Sequence, residues 1–77
     1  MLAVSVDCLF AADGTVRVNR VQMGERWRSV SQGRQWLDQD GRHVLIMFAG
    51  ERVHELILRP ASTRWEIKQH GGGDRLV

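Results

Sequence analysis

Five arginines, Arg17, Arg20, Arg26, Arg28 and Arg34, crowd into a short stretch that also holds Trp27, with Trp36 just beyond. From Thr15 to Trp36 the single acid is Glu25. Guanidinium forks match phosphate geometry and stack on flat rings. A positive groove with aromatic platforms holds single-stranded nucleic acid by its backbone and its base faces. Basic strands and loops also grip duplex phosphates without reading sequence. On this reading Arg17, Arg20, Arg26, Arg28 and Arg34 contact phosphates, and Trp27, flanked by two arginines, stacks on a base. The competing reading is structural. Tryptophans in a small domain usually fill the core and arginines usually solvate a face. A GC-rich genome would also favour arginine codons, and the chain has ten arginines against the one lysine, Lys68.

Other chemistries find less support. Ser29 and Ser31 stand outside any Gly-x-Ser-x-Gly elbow, so a hydrolase triad with His43, His54 or His70 has no local signature. Asp38 and Asp40 precede Gly41 and could offer oxygen ligands to a cation, but the remaining acids of a calcium loop are missing. They read more simply as turn residues. Cys8, His43, His54 and His70 are the soft ligands, and none forms the close pairs of a structural zinc site. A hairpin around Gly50 would bring His43 near His54, yet two histidines on paired strands are ordinarily plain strand residues. Cys8, on an apolar face, reads as a small core residue. Gly71–Gly73 lacks the Lys-Ser/Thr that a phosphate-binding loop requires. No cofactor and no metal are expected.

Size and charge bound the rest. The chain has 77 residues, is 43% hydrophobic and 26% charged, and carries a net charge of +2. That suits one small globular domain and excludes a TIM barrel or a complete dinucleotide-binding domain. One cysteine cannot make an intramolecular disulfide, and Met1–Phe10, with no basic n-region and Asp7 interrupting its apolar stretch, does not read as a secretory signal, so a reducing cytoplasm is expected. No apolar run is long enough to span a membrane. A core this small gains from self-association, so a homodimer is a second expectation.

The elements that must position these residues read as strands. Leu2, Val4, Val6, Cys8 and Phe10 alternate with their neighbours at period two. Asp13-Gly14 marks a hairpin turn. Val16 and Val18 point one way, Val21 and Met23 the other, which implies a bulge or bend at Asn19-Arg20. The stretch from Gly24 to Gly41 is the least regular, with a short helical turn expected over 31–38. His43–Ala49 is nearly all apolar, as a central strand covered on both faces should be. Arg52–Arg59 returns, Pro60 breaks the ladder, and Thr63–Gln69 is the last strand. The expected core includes Val4, Val6, Val16, Val18, Leu45, Ile46, Phe48, Ile57, Leu58, Trp65 and Ile67.

The order Arg26-Trp27, Gln35-Trp36, His43–Ile46, Glu55–Arg59 and Arg64–Ile67 resembles a family of small uncharacterised bacterial domains. These occur alone or at the C-terminus of catalytically inactive relatives of Y-family translesion polymerases. The likeness covers Val16 to about His70 and rests on Trp27, Trp36, Arg59 and Trp65. The family's tyrosines are absent here, and Pro60 stands where an acid would follow Arg59. The resemblance implies a small β-rich accessory domain connected with DNA damage tolerance, and it transfers no catalytic residues.

The sequence therefore predicts a single mainly-β domain over residues 1–70, with a flexible C-terminal tail over 71–77. The architecture expected is a five-stranded antiparallel meander forming a small SH3-like or OB-like barrel. The function expected is that of a non-enzymatic, cytoplasmic accessory or binding module, contacting single-stranded or duplex nucleic acid through the arginine/tryptophan patch. The alternative is a homodimeric protein-interaction module that uses a sheet edge or an apolar strand face.

Overall fold

Alternation at Val4, Val6 and Cys8 builds the first strand, β1 (Leu2–Phe10), and each later apolar run adds another. They are β2 (Val16–Met23), β3 (Arg26–Asp38), β4 (Gly41–Phe48), β5 (Val53–Leu58) and β6 (Trp65–Gln69). The structure is a computed structural model and describes residues 2–69. The tail predicted over 71–77 lies outside the described residues. Every strand pairs antiparallel with its chain neighbours, and β6 returns to β1 through Leu2↔Ile67, Ala3↔Glu66 and Val4↔Trp65. The result is a closed up-and-down barrel, a meander throughout, without the Greek-key crossover of an OB-fold. Closure leaves no terminal edge strand. Among the described residues no helix is long and apolar enough to cross a membrane.

The strand count is six rather than five. The stretch read as irregular, with a helical turn over 31–38, is the 13-residue strand β3. The cause is a bulge. Gln32 pairs with Ile46 and Gln35 with Val44, so Gly33 and Arg34 together oppose Leu45. Two residues facing one shift the parity of the strand. Inward-facing residues then fall three apart, at Gln32 and Gln35, a spacing that imitates a helix. The other irregularity is where the sequence places it. Asp7 pairs with Arg20 and Cys8 with Val18, leaving Asn19 as the extra residue. This is why Val18 and Val21 are both buried.

The core cluster gathers Val16, Val18, Val21, Val44, Ile46, Phe48, Leu56, Trp65 and Ile67, with Val4, Val6 and Leu58 partly buried against it. Most of the expected core is here, and the structure adds Val21, Val44, Val53 and Leu56. Val44 and Leu45 are both buried because β4 is covered on its two faces. Phe48, buried to 1% exposure, is the largest side chain fully enclosed.

Gly41 opens β4 in a backbone conformation that only glycine tolerates. Its φ is 128°, and a Cβ at this position would sit 2.0 Å from the Leu58 carbonyl oxygen. The Gln39-Asp40 turn and the β4–β5 pair cannot both keep their places around a side chain. Gly41→Ala is therefore expected to destabilise the barrel by about 3 kcal/mol or more. Urea unfolding checks this, with Gly24→Ala as comparison, since a Cβ there meets nothing within 4 Å.

Candidate functional site

The barrel sorts the predicted patch into three places. Arg17, Arg20 and Trp27 lie on the outer surface of β2 and β3, on the side away from the core residues Val16, Val18 and Val21. The Arg20 guanidinium stands 5.1 Å from the centre of the Trp27 ring and pairs through Nε with Asp7 at 3.0 Å. Trp27 is 42% exposed. Arg26 is exposed at the end of the hairpin, opposite Met23 and so on the other face of β3 from Trp27. Arg28 is elsewhere: opposite Val21 and on the inward side, it covers the Phe48 ring at 4.4 Å and pairs with Glu51. Arg34 rides on the β3 bulge and lies over Trp36 at 4.8 Å. Trp36 is half-buried and stacks on His43, so it packs rather than projects. The structure thus leaves Arg17, Arg20 and Trp27 on one face, and separates Arg26, Arg28 and Arg34 from them.

Beneath that face the barrel wall is split. The β2–β3 ladder runs only from Arg20↔Ser29 to Met23↔Arg26. Further along, β3 turns to β4 and leaves the backbone of Val16 and Val18 without strand partners on that side. Two glutamine side chains fill the gap. Gln35 accepts from the Val16 N–H at 3.0 Å and donates to the Val16 carbonyl at 2.9 Å. Gln32 accepts from the Val18 N–H at 2.7 Å and donates to the same Val16 carbonyl at 2.8 Å. The bulge at Gly33-Arg34 is what aims both amides to one side. A cleft of about 610 Å³ opens over them, bordered by Leu9, Arg17, Asn19 and Val30.

A polar cluster occupies the outer face of β4 and β5. His43 is 6% exposed. Its Nδ1 lies 2.6 Å from Glu55 Oε2 and its Nε2 lies 2.8 Å from Asp38 Oδ1. Lys68 Nζ is 4.0 Å from the other Glu55 oxygen. Burial pulls the imidazole pKa down, but the hydrogen bonds and charges of Glu55 and Asp38 outweigh it, and the value is raised above the usual 6.5. Asp38 is lowered from 3.8, chiefly by its bond with His43 and then by the Asp40 N–H. Asp38, Asp40 and His43 lie close enough to share a cation. Both ring nitrogens of His43 are already committed to carboxylates, so the cluster is complete as an internal ion pair. His43 and His54 do not converge: His43 pairs with Ile57 and His54 with Ile46, on opposite faces, and His54 meets Phe48 edge-on.

Cys8 is half-buried, and burial followed by the Asp7 charge pushes its thiol pKa up. A second, apolar hollow of about 230 Å³ lies between Phe10, Leu37, Leu58 and Pro60 at one end of the barrel. Phe10 and Leu37 are both largely exposed there.

The chain matches no family model, no curated protein and no solved structure. Gln32, Gln35 and the His43 cluster are the features that sequence reasoning passed over. A glycine inside a strand pattern is a bulge signal, and Gly33 between two glutamines carried it. The His43–Glu55 contact has no local signal, since it joins neighbouring strands.

Within the polar cluster, His43 and Asp38 set a pH window. His43, raised in the folded state, contributes stability that is complete below pH 6.5 and is lost as pH rises through its folded pKa. Asp38, lowered, contributes stability that is complete above pH 3.8 and is lost as pH falls through its folded pKa. Thermal melts should show Tm declining above pH 6.5, and His43→Gln should flatten that alkaline decline. An unchanged alkaline profile in His43→Gln contradicts the assignment.

Proposed function

We propose that the protein is a small non-enzymatic, cytoplasmic binding module that contacts nucleic acid, and single strands above all, through the outer face of β2 and β3. The observation that carries this is Trp27, exposed at 42% with the Arg20 guanidinium against its ring. Arg17 is exposed on the same face and Arg26 at the adjoining hairpin end, and no ion pair among the described residues engages them. A base stacked on the indole with phosphates on the two free guanidinium groups matches the way small barrels hold single strands. The non-enzymatic reading is supported by the chemistry of the candidate groups. The thiol is held in its protonated form, and the buried imidazole is held between two carboxylates. The family resemblance would connect such a module with DNA damage tolerance.

Self-association is the second reading, favoured by the apolar end around Phe10, Leu37 and Pro60. It predicts a Tm that climbs with protein concentration.

The first reading is tested with a fluorescent oligothymidylate. Trp27→Ala should weaken binding roughly ten-fold, the loss of one stacked base. Arg17→Ala combined with Arg26→Ala should weaken it and flatten the logarithmic salt slope by about 1.4, two single-strand phosphate contacts. Arg34→Ala should leave both unchanged. Equal affinity in wild type, Trp27→Ala and the double variant removes the reading.

A further inference from the structure

We propose that the split between β2 and β3 is a peptide-binding site that takes an extended segment of another protein as an added strand. The occupant is a backbone, because the groups now in the site are amides. A side-chain amide offers the same carbonyl and N–H as a peptide unit. The Gln35 amide exchanges both hydrogen bonds with Val16, at 3.0 and 2.9 Å. That is the exchange a facing residue makes in a hydrogen-bonded antiparallel pair. Gln32 repeats the acceptor half of it with the Val18 N–H two residues along, at 2.7 Å. Together they present to β2 the pattern of a strand that the barrel itself does not supply. An incoming peptide replaces amide by amide, so the exchange costs no net hydrogen bond. The released glutamine amides turn to solvent and leave the cleft of about 610 Å³ to the peptide.

The site is specific about what enters. Its bonding groups are the N–H of Val16, the N–H of Val18 and the carbonyl of Val16, all on one edge of β2. The side chains of Val16 and Val18 are buried, so the edge is anchored in the core and does not move to meet the ligand. Leu9 and Val30 give the cleft an apolar border for alternate side chains of the peptide. Arg17 is the one charged residue of the lining, and no acid lines it. A strand carrying a carboxylate beside Arg17 therefore fits best. Strand addition at a sheet edge draws affinity from main-chain bonds and specificity from alternate side chains. A closed barrel normally abolishes such an edge. Here it survives inside the wall, covered by two side chains. The proposal shares Arg17 with the nucleic-acid reading but otherwise uses the backbone edge and not the Trp27 ring, so the two are told apart by which amides and indole respond.

The test uses three capped heptapeptides that alternate valine and threonine, with a central glutamate, lysine or serine, titrated into the full ¹⁵N-labelled chain. The expected result is binding with Kd below about 1 mM for the glutamate peptide. Shifts should concentrate on the Val16 and Val18 amides and the Gln32 and Gln35 side-chain NH₂ signals. The lysine peptide should bind several-fold more weakly. Gln35→Ala removes the competing amide and should bind the glutamate peptide several-fold tighter, while the free variant shows faster hydrogen exchange at Val16. If Gln35→Ala does not fold, Gln35→Met keeps the length of the side chain without the amide and should show the same gain. A peptide N-methylated on the edge facing β2 should lose binding. The proposal is overturned by the absence of shifts with all three peptides in wild type and variant. It is equally overturned by shifts centred on the Trp27 indole, or by undiminished binding of the N-methylated peptide. An oligothymidylate that moves the Val16 and Val18 amides assigns the cleft to nucleic acid and also overturns it.

Discussion

Closing six short strands into a barrel requires every inward and lateral backbone group to find a partner, and at one seam the strands cannot provide it. β3 leaves β2 after four residue pairs and crosses to β4. A buried N–H or carbonyl left unpaired costs about as much as a lost hydrogen bond plus its desolvation. Gln32 and Gln35 meet that requirement with four hydrogen bonds to Val16 and Val18. The core residues of β2 hang from the same two positions, so the seam fixes where Val16 and Val18 sit. The rest of the architecture follows: the bulge at Gly33-Arg34 aims the amides, and the length of β3 lets one strand serve two neighbours.

The opposite wall is built on a different principle. β4 and β5 pair continuously from Arg42↔Leu58 to Met47↔Val53 and are buried on both faces. The inner face is apolar. The outer face carries His43 and Glu55 at burial that ordinarily excludes charge. They are tolerated because each satisfies the other, and Asp38 satisfies the second ring nitrogen. Trp36 then lies flat on the imidazole, with ring centres 4.9 Å apart, and Arg34 lies on Trp36. This stack accounts for two residues that composition alone would assign to a ligand surface. Their cationic and aromatic groups are held in packing, whereas Arg17 and Arg26 make no ion pair among the described residues and Trp27 stays 42% exposed under Arg20.

The two walls therefore divide labour. The β4–β5 side is saturated, with apolar contacts inside and an ion-paired stack outside. The β2–β3 side holds the exposed indole, the unpaired guanidinium groups and the cleft with its amide-capped edge. A barrel of this size has little volume for an enclosed pocket, so what this wall offers lies at its surface: an exposed ring, free charge and a capped main-chain edge.

Much of this was legible in the chain. Period-two alternation, the Asp13-Gly14 turn and the double-sided apolar run of β4 specify antiparallel strands. The parity switch between Val18 and Val21 specifies the bulge at Asn19. Composition specifies an arginine-rich surface and excludes large folds. What the sequence could not specify is partnership across space. Gln32 and Gln35 read as ordinary polar residues until β3 is seen to bend away from β2. His43 reads as a strand histidine until β5 brings Glu55 beside it. Arg28 and Arg34 read as members of one patch until alternation and the bulge turn them to Phe48 and Trp36. Local pattern fixes which way a side chain leaves its own strand. Only the closed barrel decides which backbone or side chain it meets, because those contacts join strands through register, and register is a property of the whole sheet.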